Sequence, residues 1–381
     1  MRFPEYSGEW EKCKVSDLLD FYSTNSLAWE QLEYGAKGLK NLHYGLIHNG
    51  LTTCVDVDAA DLPTIKESCV PKKYTLCKEG DVAFADASED TNDVAKCVEF
   101  INCAEDNMVC GLHTIHGRDK SNKTVIGFKG YAFSAQSFRH QIRRLAQGTK
   151  IYSINSKNFS ECFIGIPSKG EQSKIATLLY LIDQRIETQK KIIEKYESLI
   201  RGLYHSVFNN PSSILQLREV VSVVKGKQVN GEDLLEEGKY YVMNGGTEPS
   251  GYLDEYNTPA NTISISEGGN SCGYVQYNTE PFWSGGHCYS LHQKDEGVNY
   301  QYLYHFLKYK ERDIMALRIG SGLPNVQKKD LERFEIRVLS IEQQNRVAEI
   351  LEDISAKCDL EKKILQGWQW QKSFLLSNLF I

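Results

Sequence analysis

One constant shift along the chain superposes its C-terminal part on an earlier part, and that repeat limits the fold more than any other feature. It pairs Ile142 with Ile314, Leu145 with Leu317 and Gly148 with Gly320. It runs on without a gap through Ile164/Ile336, Gln172/Gln344, Ala176/Ala348, Leu179/Leu351 and Ile182/Ile354. It then reaches Lys190/Lys362, Lys191/Lys363, Ile192/Ile364, Leu203/Leu375 and Phe208/Phe380. Chance matches scatter, whereas these hold one register over more than sixty residues. The plan is a variable segment, a helix, a second variable segment and a second helix. Boundaries fall at residues 1–165, 166–210, 211–338 and 339–381.

The repeated stretch carries a helical seam. In the first copy apolar residues fall at Ile175, Leu179, Ile182 and Ile186, then at Ile193, Tyr196, Ile200, Leu203 and Val207. The second copy gives Val347, Leu351, Ile354 and Cys358, then Leu365, Trp368, Leu375 and Leu379, with Lys372 interrupting. Alternating steps of four and three are the a/d seam of a coiled coil. Gln189 and Glu361 put a polar group at the same seam position in both copies, a usual way of fixing register. The spacing therefore predicts two long antiparallel helices that pack on each other, with the two globular segments pseudo-two-fold related. About 38 helical residues rise about 57 Å. That length suits a ruler across about 15 base pairs of duplex, and two heads on a fixed spacer suit a two-part site.

Composition narrows the classes. Hydrophobic content of 41% and charged content of 25% are those of a soluble globular protein. No apolar run suits a membrane span, and "MRFPEYSGEW" is not a signal peptide, so a cytoplasmic location is expected. Eleven cysteines at irregular spacing, with no Cys-x-x-Cys, suggest reduced thiols. Cys97, Cys103 and Cys110 are spaced too widely, without a histidine pattern, to predict a metal site, and none is expected. There is no Walker A loop, so no nucleotide cofactor is expected. No adenine-methylation motif of the Asn/Asp-Pro-Pro-aromatic type occurs either. "GEDLLEEGK" puts carboxylates near a lysine, as nuclease sites do, but so do ordinary exposed loops.

The net charge of −6 hides a local reversal. Between Arg118 and Lys157 lie nine basic residues and one acidic residue, Asp119. Phosphate neutralisation needs such a patch. Lys120, Lys123, Arg139, Arg143, Arg144 and Lys150 are the candidate DNA contacts there. "SAQSFRHQIRRLAQG" reads as a short helix with its arginines on one face and Ile142 and Leu145 on the other. The later segment is less polarised, with eight basic and six acidic residues from Lys294 to Arg333. Its glycine-rich loops "MNGGTEPSGY", "SEGGNSCGY" and "PFWSGGHCY" could approach bases closely or could be tight turns of a β-rich core. The candidates there are Asn244, Asn270, Trp283, His287, Arg318 and Lys328. "KYYVMN", "NTISIS", "GYVQYN" and "HCYSLH" read as strands, and "NYQYLYHFLKYKERDIMAL" as a flanking helix. Each variable segment is thus expected to be an α/β domain with a twisted sheet.

The whole chain resembles the specificity (S) subunits of type I restriction–modification systems. The resemblance is carried by "IPSKGEQSKIATLLYLID" and "VLSIEQQNRVAEILEDI", by the turns "QGTKIYSI" and "IGSGLPNV" before them, and by the long run from "YYVMNGG" to "GGHCYSL". "LHYGLIHNG", "GDVAFADASEDTNDVAKCVEF" and "GLHTIHGR" resemble another type of recognition domain. Two departures, Leu339 in place of the proline that Pro167 supplies and Lys372 in the seam, read as drift of the scaffold. The resemblance implies two target recognition domains on double-stranded DNA, each reading half of an asymmetric bipartite target. It implies helices that bind two methyltransferase subunits, association with motor–nuclease subunits, and no catalysis by this chain. DNA methylation and defence against foreign DNA would be the tasks of the complex. The competing readings are a coiled-coil scaffold with protein-binding heads and an enzyme with its site in the glycine-rich domain.

Overall fold

The computed structural model describes residues 1–103, 107–209, 213–320, 322 and 324–380. The chain divides into two compact units. One comprises Met1–Lys190 with Lys363–Ile381, and the other Lys191–Lys362. Two helices dominate, Lys169–Phe208 and Ile341–Asn378, and each contributes a part to both units.

The first unit contains a five-stranded sheet. Its order is Leu19–Tyr22, Thr114–Asp119, Val82–Ala85, Cys97–Ile101 and Cys54–Asp56, the last pair being parallel. The buried strand Val82–Ala85 reads as a continuous small and apolar run because both its faces are covered. On one face lie the helices Phe128–Ser134 and Gln136–Leu145, packed through Phe84, Phe133, Phe138 and Phe159. Phe84 meets Phe133 edge-on at 4.9 Å between ring centroids. On the other face Ala83, Ala85, Val98 and Phe100 meet Leu42, Met108 and Cys110. Those last three residues come from the strands Lys40–Leu42 and Met108–Cys110 of a second, four-stranded sheet.

The second unit has a four-stranded antiparallel sheet in the order Val221–Lys225, Cys288–Gln293, Thr262–Ser266 and Val275–Asn278. The helix Tyr300–Tyr309 covers it, and Ile263, Ile265, Leu291, Tyr302 and Phe306 form the core. Phe208, the repeated phenylalanine, closes that core with its ring 5.3 Å from Phe306 and 5.4 Å from Tyr302.

Each unit also repeats a short two-stranded ladder at its base. The strand Glu11–Lys14 pairs antiparallel with Phe163–Ile166, and Ser213–Gln216 pairs in the same way with Glu335–Val338. The later strands keep the register of the repeat, with Ile166 answering to Val338. The earlier strands, at Glu11 and Ser213, do not. About thirty more residues separate the paired strands in the first unit, and that is where the two units diverge.

Inside each unit the two long helices run antiparallel, as the seams predicted. In the first unit Ile175, Leu179, Ile182 and Ile186 pack with Leu365, Trp368, Leu375 and Leu379. In the second, Leu203, Val207 and Phe208 pack with Val347, Ala348 and Leu351. Ile193 is buried, while Ile200 and Ile354 are half-buried. Lys372 is no scaffold drift. Its ammonium lies 2.6 Å from the buried Asp183 carboxylate and 3.1 Å from Thr53 Oγ1, and Tyr131 OH donates to the same aspartate at 2.9 Å. A cation in the seam is tolerated because its counter-charge is already there.

The glutamine near the start of each long helix has a physical role in both copies. Gln172 is buried, accepts from the Val125 N–H at 2.9 Å and donates to the carbonyls of Lys123 (3.1 Å) and Pro167 (2.8 Å). Gln344 is also buried, accepts from the Asn299 N–H at 2.8 Å and donates to Gly297 (3.3 Å) and Leu339 (2.9 Å). Each amide ties the first turn of a long helix to the loop before the helix that covers the sheet. The Leu339 substitution leaves this clamp intact, because only the carbonyl of that residue is used.

Candidate nucleic-acid interface

The same rim is built at one end of the main sheet in each unit. In the first, the Asp86 N–H donates to the His113 carbonyl at 3.1 Å, and the Asp86 carbonyl accepts from Ile154 N–H at 3.0 Å. In the second, the Glu267 N–H donates to the His287 carbonyl at 2.8 Å, and the Glu267 carbonyl accepts from Val326 N–H at 2.8 Å. Each carboxylate faces its histidine. His113 Nδ1 is 3.1 Å from Asp86 Oδ1, and His287 Nδ1 is 4.0 Å from Glu267 Oε2. The two imidazoles are 50% and 60% exposed; Asp86 is within hydrogen-bond distance of His113, whereas Glu267 lies beside His287 at ion-pair distance only.

A turn completes each rim, after the helix Gln136–Leu145 in the first unit and after the helix Glu311–Ala316 in the second. Gln147 and Ser153 bridge across it in one unit, Ile319 and Asn325 in the other. These are the turns "QGTKIYSI" and "IGSGLPNV". Gly148 and Gly320 both have positive φ, 142° and 96°. A Cβ on Gly148 would run into the Ile151 carbonyl oxygen, so the turn requires glycine. The turn then pairs with the residues after the carboxylate, Ala87–Ser88 in one unit and Gly268 in the other.

In the second unit the glycine-rich loops converge on this rim. Asn244 Oδ1 accepts from the His287 N–H at 3.1 Å, and Ser266 Oγ donates to the Gly245 carbonyl at 2.7 Å. A side chain on Gly245 would meet His287 at 3.0 Å, and one on Gly285 would meet Asn244 at 2.5 Å. The glycines therefore let three chain segments pass within backbone contact. Asn270 and Arg318 are exposed, Asn270 in the loop after Glu267 and Arg318 at the start of the turn. Lys225 donates to Glu267 at 2.7 Å. With Lys227, Tyr256, His292 and Trp283 it also lines a depression of about 350 Å³. Trp283 Nε1 is held by the Lys227 carbonyl at 3.1 Å. Lys328 lies on the following short helix, 3.7 Å from Glu332.

The basic stretch of the first unit is not one surface. Lys129 is buried against Glu99 at 2.9 Å, under the helix it begins. Burial pushes the Glu99 carboxyl up, against the opposing pull of the lysine and the Gly130 N–H. Arg118 makes two bonds to Asp81, each 2.7 Å. Lys120 donates to the Ser16 carbonyl and lies 3.9 Å from Asp20. Lys123 pairs with Glu11 at 2.6 Å. Arg139 is buried, and its guanidinium donates to the Asn92 carbonyl, fixing the turn after the rim rather than facing solvent. Burial also pulls its pKa below the ordinary arginine value. Arg143 donates to the Asn92 side chain at 3.1 Å and is exposed, as are Arg144 and Lys150. These three stand on or beside the helix and turn that complete the rim.

Sequence reasoning named His287 but missed His113, Asp86 and Glu267. The two histidines stand two positions off the common register, so the repeat slides past their pairing. Beside His113 stand Tyr44, at 5.2 Å between ring centroids, and His43 and Trp29 beyond it. That cluster draws on "LHYGLIHNG". The imagined Cys97–Cys103–Cys110 triplet does not assemble, since Cys97 lies in the core on the opposite side of the sheet from the other two.

Residues 211–367 match the family described as "Type I restriction modification DNA specificity domain". A putative type I specificity subunit of Mycoplasma genitalium is 27% identical over 307 residues, 74% of this chain and 78% of that protein. One from Mycoplasma pneumoniae is 34% identical over 137 residues, 35% of this chain and 36% of that protein. The crystal structure of a type I restriction-modification S subunit from M. genitalium superposes with a TM-score of 0.70. It covers 100% of this chain and 99% of that one at 22% identity, which establishes the fold. With the repeated helices and duplicated α/β units, these matches make residues 211–367 similar to the type I specificity domain and give the whole chain the fold of a type I restriction–modification S subunit.

Proposed function

We propose that this chain reads double-stranded DNA through its two rims, one for each half of an asymmetric bipartite target. The observation that carries the reading is the duplication of the rim. An exposed histidine, a neighbouring carboxylate and a glycine turn recur at the same place on each sheet although the sequences around them differ. Features common to both rims suit contacts that every half-site offers, such as phosphates. The dissimilar loops around them suit base edges. In the first unit Arg143, Arg144 and Lys150 flank the rim as phosphate contacts. In the second, Asn244, Asn270, His287 and Arg318 surround it, with Trp283 and Lys328 farther out. Lys120, Lys123 and Arg139, engaged by their own protein partners, are positioning groups.

The chain catalyses nothing by itself in this reading. Its long helices dock two methyltransferase subunits and, through the complex, motor–nuclease subunits. Large apolar side chains left exposed on them support a docking role: Leu181 and Leu199 on one, Leu360, Trp370 and Phe374 on the other. Trp370 and Phe374 stack with centroids 5.5 Å apart and are 69% and 43% exposed. The test is co-expression with the cognate methyltransferase followed by methylome sequencing. A bipartite motif that disappears without this chain supports the reading, and methylation that persists unchanged overturns it.

A further inference from the structure

We propose that the first unit binds a zinc ion between its two sheets, on Cys77, Cys110 and His116, with the fourth position open to water. The two sulfurs are 3.6 Å apart, and they and a ring nitrogen of His116 lie within 4.8 Å of one another. Two thiolates on one tetrahedral zinc, at about 2.3 Å each, stand about 3.8 Å apart. The two sulfurs therefore already stand within a few tenths of an ångström of that spacing, and closing on the ion asks for a movement of about 1 Å at most from the histidine, whose nitrogen would stand about 3.5 Å from each sulfur.

Distance alone would also fit a thiol–thiol hydrogen bond, so the histidine decides. His116 is fully buried, and its Nε2 lies 2.7 Å from Asp81 Oδ2. Its Nδ1 is buried and has no hydrogen-bond partner. Asp81 is itself held by both arms of Arg118. A carboxylate on one imidazole nitrogen with the other left as a bare lone pair is the usual outer-shell arrangement of a zinc-bound histidine. A cavity of about 260 Å³, lined by Thr24, Asn25, Ser26, Tyr74 and Cys110, lies beside the strand that carries Cys110. Water can take the fourth position. Binding converts two thiols to thiolates, so one zinc enters and two protons leave. The wide interval from Cys77 to Cys110 and on to His116 follows no finger or ribbon pattern, which is why the sequence does not announce the site.

The test uses the full chain and does not depend on DNA reading. Wild-type protein purified from zinc-supplemented medium and dialysed against metal-free buffer should carry about one zinc by plasma mass spectrometry. Titrating its thiols with a mercurial should release that zinc to a colorimetric indicator. Cobalt(II) added to apo-protein should give sulfur-to-metal charge transfer in the near ultraviolet and tetrahedral d–d bands in the visible. Cys77→Ser with Cys110→Ser should abolish both, whereas Cys69→Ser should leave them unchanged. Metal-free wild-type protein that takes up no cobalt would overturn the proposal without recourse to the variants. So would an intact mass two daltons low with Cys77 and Cys110 joined.

Discussion

Replacing Gln172 with alanine should loosen the first unit by about 3 kcal/mol, and Gln344→Ala should do the same to the second. Each glutamine serves three backbone groups: the N–H of Val125 and the carbonyls of Lys123 and Pro167, or their counterparts at Asn299, Gly297 and Leu339. Each bond contributes about 1 kcal/mol net, and a buried backbone group that loses its partner keeps its desolvation cost. Units of this size shift their melting point by about 2–4 °C per kcal/mol. Each substitution should therefore lower the transition of its own unit by about 6–12 °C. The assay is differential scanning calorimetry, with hydrogen exchange at the Val125 and Asn299 amides as the local readout. The double variant should show both losses, additive within about 0.5 kcal/mol, since the clamps share no partner. Loss below about 1 kcal/mol in both single variants, with the amides still protected, would refute the idea that these glutamines join helix to sheet layer.

Lys372→Met should cost about 3 kcal/mol by leaving Asp183 charged and buried, and Asp183→Asn in the same chain should recover most of it, by chemical denaturation. Arg143→Ala with Arg144→Ala should weaken DNA binding and flatten its salt dependence by about one unit for each phosphate these side chains neutralise. Arg139→Ala should instead lower the melting point, because its guanidinium holds the Asn92 turn. His113→Ala and His287→Ala should each reduce methylation without changing the motif sequenced, and a changed motif would mean the histidines read bases. Inserting a heptad after Gln189 and another after Glu361 should widen the gap between half-sites by up to about three base pairs, at about 10.5 Å per heptad. An active variant with an unchanged gap would show that the helices do not set it.

The helices were legible because their periodicity is local. Each seam residue announces itself within seven positions, and the second copy repeats the statement. The glutamine clamp was half legible. Gln172 and Gln344 matched in the repeat, but their partners lie as far off as Lys123 and Gly297, beyond any local pattern. The basic stretch misled for the same reason. Lys129 and Arg118 look like surface charges until Glu99 and Asp81, distant in the chain, fold beneath them. The rim was hidden by a slip of two positions. His113 and His287 stand out of the register that the helices after them keep. Only backbone pairing, through the carbonyls that accept from Asp86 and Glu267, restores the correspondence.

The short ladders at the base of each unit have a consequence of their own. Glu11 faces Ile166 and Ser213 faces Val338, so the chain leaves the scaffold and returns to it at adjacent points. Whatever lies between is a loop with clamped ends. Closing a clamped loop costs little more when it is longer, about 0.6 kcal/mol for each doubling. One scaffold can therefore carry about thirty extra residues in one unit and not the other. Genetic exchange between these ladders would move a whole globular segment as a cassette, leaving the sequence of both helices untouched.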